Sequence, residues 1–108
     1  MSLDISLDRE HITHYSFWAN ITHNLTAMAD EAGIYEIVWR PEENGITHAW
    51  QLIEPLREAI ATMKADPKRF KKHDAGNDWG TYKDFVPWLE EYLAACIEEP
   101  GATVSANR

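Results

Sequence analysis

Ser2-Leu3-Asp4-Ile5-Ser6-Leu7-Asp8 alternates apolar and polar side chains with a period of two, the pattern of a strand that buries one face. Every longer apolar pattern in the chain repeats at three and four residues, so this stretch decides between an all-helical fold and a mixed one. A lone strand has unpaired backbone groups and needs neighbours. Two segments qualify. The aromatic-rich residues 14–18 could pair with the first strand across the polar turn Asp8-Arg9-Glu10-His11, or form an irregular lead-in to the next helix. Beyond Pro100-Gly101, Ala102-Thr103-Val104-Ser105-Ala106 reads as an edge strand that could also pair with the N-terminal one.

Between these ends the periodicity is helical. Leu25, Met28, Ala29 and Ala32 share one face, with Thr22 or Asn24 as N-cap and Gly33 as the stop. Residues 34–39 add a turn or two before Pro41 and the Glu42-Glu43-Asn44-Gly45 loop. Thr47 is placed to cap a long helix with an apolar stripe from Ala49 to Met63; Pro55 inside it predicts a bend near residues 51–55 or a break into two pieces. Asp66-Pro67 opens a short basic helix to Lys72. Thr81, with Asp84 three residues on, resembles a capping box before a final helix whose stripe runs from Tyr82 to Ile97 around Pro87. The expected architecture is α+β and predominantly helical: three or four helices with a small sheet formed by the N- and C-terminal strands. One domain spans 1–108, with 1–3 compatible with a cloning remnant and 101–108 either an edge strand or a loose tail.

The 108 residues suffice for one hydrophobic core. A net charge of −8 opposes general nucleic-acid binding, which draws its affinity from clustered cations. Half of the ten basic residues (Lys64, Lys68, Arg69, Lys71 and Lys72) lie close together, either as a solvated helix face or as a phosphate patch. No segment approaches the roughly 18 consecutive apolar residues of a membrane span, and the N-terminus lacks a basic region with an apolar run. A cytoplasmic location is expected. The lone Cys96 lies in an apolar stripe, the position of a buried thiol and not of a nucleophile.

Chemistry could reside in two kinds of place. His11 and His14 are three apart, with His23 nine residues further and Asp4 or Asp8 nearby, a donor set suited to a divalent metal. There is no His-Glu-x-x-His and no cysteine pair, and no cofactor is otherwise implied. The second is a pair of polar-aromatic blocks that each precede a helix: Asn20, Thr22, His23 and Asn24, and Asn77, Asp78, Trp79 and Tyr82. Such residues satisfy first-turn N–H groups, so both blocks could simply be caps. The sharper reading places the two helix starts together as a shared recognition pocket, with an anionic group as the candidate ligand.

Asn20-Ile21-Thr22-His23-Asn24-Leu25, residues 28–35, residues 39–43, Trp79-Gly80-Thr81-Tyr82 and Tyr92-Leu93-Ala94-Ala95-Cys96 carry a further signal. In these stretches the chain resembles a small family of bacterial and bacteriophage proteins of uncharacterised activity. The resemblance implies a bacterial cytoplasm or a mobile element as the setting, and an accessory role more readily than a metabolic one. It covers most of residues 20–97, with one departure: the family pattern Asn-Gly-Trp-Gly is here Asn77-Asp78-Trp79-Gly80, and Asp tolerates a positive backbone dihedral less well than glycine. The function expected is a non-catalytic binding or accessory module that meets a protein partner or a second copy of itself. The alternatives are a small metal-dependent enzyme using histidines and a structural homo-oligomer.

Overall fold

The computed structural model describes residues 2–8 and 15–108. The first strand, β1 (Ser2–Asp8), sits at the centre of a three-stranded antiparallel sheet, between β2 (Tyr15–Thr22) and β3 (Thr103–Asn107). The fold is thus α+β, with the sheet built from both ends of the chain, as the alternation of residues 2–8 predicts. Leu3, Ile5 and Leu7 are buried on the inner face, where Phe17, Ala19, Ile21, Val104 and Ala106 pack beside them. β2 runs four residues beyond the expected strand, because Ala19 and Ile21 continue the inward alternation while Trp18 and Asn20 point outward. The expected turn at residues 9–11, together with His14, lies outside the described residues.

The first helical segment opens as a 3-10 turn (His23–Leu25) and becomes α1 (Thr26–Glu31), after which Gly33 takes a left-handed conformation. α2 (Tyr35–Trp39) follows, then α3 (Trp50–Ala65), α4 (Pro67–Lys71) and α5 (Tyr82–Glu98). Thr47 does not cap α3. Instead the Gln51 side-chain oxygen accepts from the Thr47 and His48 backbone N–H groups, at 2.7 and 2.9 Å. The N–H groups of Ala49 and Trp50 donate to the carbonyls of Ala102 and Pro100. The start of α3 is therefore satisfied by the chain leading into β3, a partner invisible to local sequence.

α3 and α5 each form one continuous helix despite their prolines. Pro55 and Pro87 occupy the sixth position of their helices, so each removes a single hydrogen bond close to the N-terminal end. Apolar residues buried on both sides of each proline, Leu52 and Leu56 in one helix and Phe85, Val86, Trp88 and Leu89 in the other, hold the turns together. Rings of Tyr35, Trp39, Phe85, Trp88, Tyr92 and Phe17 follow one another at centroid distances of 5.6–6.2 Å and carry the core from α2 through α5 to the sheet.

Most of the basic cluster is engaged. Glu31 at the end of α1 receives Arg69 at 2.9 Å, Lys72 at 3.2 Å and His73 at 3.5 Å. Lys64 pairs with Glu90 at 2.7 Å, and the Lys71 ammonium stands 5.5 Å from the centre of the Tyr82 ring. The solvated-face reading accounts for these side chains, and no helix among the described residues is long and apolar enough to cross a membrane.

Candidate functional site

The two polar-aromatic blocks, more than fifty residues apart in the chain, meet in space. Asn24 donates its side-chain amide to the Trp79 carbonyl at 2.8 Å, while Asn77 accepts from the Trp79 N–H at 3.1 Å. Both backbone groups of Trp79 are thereby tied by asparagine side chains. Thr22 accepts from the Asn24 N–H at 3.2 Å, which closes the 3-10 turn beneath that contact. Gly80, with φ of +105°, lies so close to the first block that a Cβ there would stand 2.9 Å from the Asn24 Cβ and 3.2 Å from the Thr22 methyl. Only a glycine allows both the backbone conformation and this approach.

The Trp79 ring is left 72% exposed. It borders a depression of about 480 Å³ lined also by Ser2, Asn20, Thr22, Asn24, Asp78, Gly80 and Asp84. Asn20 contributes from β2, where its amide donates to Asp4 Oδ1 at 2.6 Å and to the Ser2 hydroxyl at 2.8 Å. The Asn20 carbonyl in turn accepts from the Trp88 indole at 3.0 Å. Among the described residues, two carboxylates and no cation line this depression, an electrostatic setting that opposes the anionic ligand expected from two helix starts. The first N–H of α5 is likewise taken, because Tyr82 N–H donates to Asp74 Oδ1 at 2.7 Å. Thr81 does not cap α5 through its own side chain; its hydroxyl donates to Asp84 Oδ2 at 3.1 Å.

Two expected members stand elsewhere. His23 turns toward the core, where Nδ1 accepts from the Trp39 indole at 2.9 Å. The neutral ring then carries its proton on Nε2 and has no second lone pair for a metal. Tyr82 sends its hydroxyl to the Met63 carbonyl at 2.9 Å, between α5 and α3, and is not part of the depression. His11 and His14 lie outside the described residues. Among the described residues no group of three metal-ligating side chains converges.

Asp78 adopts φ of +61°, the one non-glycine residue with positive φ among those described. Its N–H donates to the Ala75 carbonyl at 3.2 Å, so the conformation is fixed by the turn. The members that sequence reading missed are Ser2, Gly80, Asp84 and the Asp4 that anchors Asn20. A signal existed for Ser2 and Asp4: the alternation of residues 2–8 places both on the outward face of β1, opposite Thr22 and Asn20. Burial pushes the Cys96 thiol up to about 12, so no thiolate is available near neutral pH.

Comparison with protein-family models, with curated proteins and with solved structures returns no match to this chain.

Proposed function

We propose that the chain is a non-catalytic binding or accessory module of bacterial or bacteriophage origin, acting in the cytoplasm and engaging a protein partner through the depression at Trp79. One observation carries this reading. A large apolar ring is presented to solvent from a backbone tied on both sides, by Asn24 at its carbonyl and by Asn77 at its N–H. Exposed tryptophan is costly to hydrate, and aromatic anchors on preorganised backbone supply much of the energy of protein interfaces. The groups nearby suit recognition better than catalysis: asparagine and serine amides and hydroxyls already held in hydrogen bonds, with His23 engaged by Trp39 and Cys96 buried.

The test is affinity capture from a bacterial lysate with the intact chain and with Trp79→Ala, each checked by thermal unfolding. The ring is mostly exposed, so its removal is expected to change stability by less than about 0.5 kcal/mol. A partner held by the parent chain and lost from Trp79→Ala at unchanged stability supports the reading. Equal capture by both overturns it.

A further inference from the structure

A second, separate depression of about 320 Å³ lies on the open face of the sheet. Its floor is the cross-strand row Trp18, Ser6 and Ser105, with Ser6 at the centre paired to both neighbours. Asp4 and Asp8 stand on the same strand two residues to either side of Ser6, and Asn107 lies opposite Asp4 on β3.

Three observations at this place converge. First, Ser6 is only 7% exposed although it lies on the outward face, and its hydroxyl has no hydrogen-bond partner among the described residues. An unpaired hydroxyl on the floor of a mostly closed opening is both a donor and an acceptor for whatever fills it. Second, Trp18 stands directly across from Ser6 and remains 55% exposed, a flat apolar wall beside a polar floor. Third, among the described residues the lining holds two carboxylates and no cation, within a chain of net charge −8.

We propose that this depression receives an arginine side chain from an extended basic segment of a protein partner. The guanidinium is planar, always charged, and carries five donors with no acceptor. It fits an acceptor-rich floor with a tryptophan on one side: the plane stacks on the Trp18 ring, and the N–H groups reach the free oxygen of Asp4, the Asp8 carboxylate and the Ser6 hydroxyl. The volume is at the lower end for ligand pockets, room for one long side chain. The proposal goes beyond the Trp79 depression, which involves different residues except where Asn20 bridges to Asp4.

The probe is a blocked heptapeptide of alternating glycine and arginine, titrated into the intact chain by calorimetry and by NMR of the indole N–H signals. A matched peptide with citrulline in place of arginine keeps the shape and removes the charge. The expected result is binding that shifts the Trp18 indole signal, weakens with added salt, and falls at least tenfold with the citrulline peptide. Trp18→Ala and Asp8→Asn should each weaken it at least fivefold with unaltered unfolding midpoints, while Trp50→Ala, an equally exposed tryptophan outside the depression, should leave it unchanged. Absence of binding, equal binding of the citrulline peptide, equal binding by Trp18→Ala, or preference for a neutral oligosaccharide such as cellohexaose overturns the proposal. None of these outcomes touches the Trp79 reading, which stands or falls on partner capture by Trp79→Ala.

Discussion

Gly80 has no side chain, yet it determines how closely the two polar blocks approach. Adding a single methyl at Gly80→Ala places a carbon 2.9 Å from the Asn24 Cβ and forces an L-residue into φ of +105°. We expect the variant to lose about 2–4 kcal/mol, from the backbone strain and the overpacking together, read as a lower denaturant midpoint with unchanged slope. Its neighbour Asp78 shows what was legible at this scale. Asp is one of the few L-residues that tolerates a positive dihedral, and this one, in a polar block set before a helix, adopts +61°. The Gly80 contact was illegible, because its partners lie in a block more than fifty residues earlier and nothing in local spacing records them. The same holds for His23, which composition offers as a ligand and the core uses to satisfy a tryptophan N–H.

Elements were readable where their periodicity was long and unbroken. The stripes of α3 and α5 survived their prolines, since a missing bond near a helix start costs little against a buried face. β2 was read short because Asn20 and Thr22 resemble caps; they serve as outward strand residues, and Thr22 does both. The short helices are held by what they bury, Met28 and Ala29 in α1, Val38 and Trp39 in α2 and Phe70 in α4, and ions add a tie between two of them. Glu31 ties α4 to α1, and the Arg69 guanidinium, with Lys72 and His73, holds its carboxyl at about 2, below the ordinary 4.5. A carboxyl whose folded value is depressed stabilises the protein above its unfolded value, and that contribution is lost as pH falls through the folded one. The parent chain should therefore exceed Glu31→Gln in stability at pH 6, and the gap should close between about pH 4.5 and 2. Denaturant midpoints of both chains across that range check the sign. A gap that widens on acidification would refute the linkage.

For the whole molecule, sheet and helices are stitched by the segment around β3. Ala102 and Pro100 accept from the start of α3, Val104 N–H donates to the Thr47 carbonyl, and Arg108 reaches the Trp39 carbonyl at 2.8 Å. Its guanidinium also pairs with Glu42 and Glu43. Ending the chain after Ala102 removes the strand that covers one edge of β1, together with the ties of Val104 and Arg108, and leaves those of Pro100 and Ala102. We expect a loss of several kcal/mol, comparable to the full stability of a small domain, and thermal unfolding at a much lower temperature than the parent. Hydrogen exchange at the amides of β1 would show the newly opened edge directly.

That arrangement has a consequence in time. A ribosome makes β1 nearly a hundred residues before β3, but β1 is the strand that both others flank. Until β3 is made, then, the central strand waits with one side bare, and the helices must gather against an incomplete sheet. Closing the sheet waits for β3, so a ribosome stalled between α5 and β3 would hold the helices already made and a middle strand open to any passing edge.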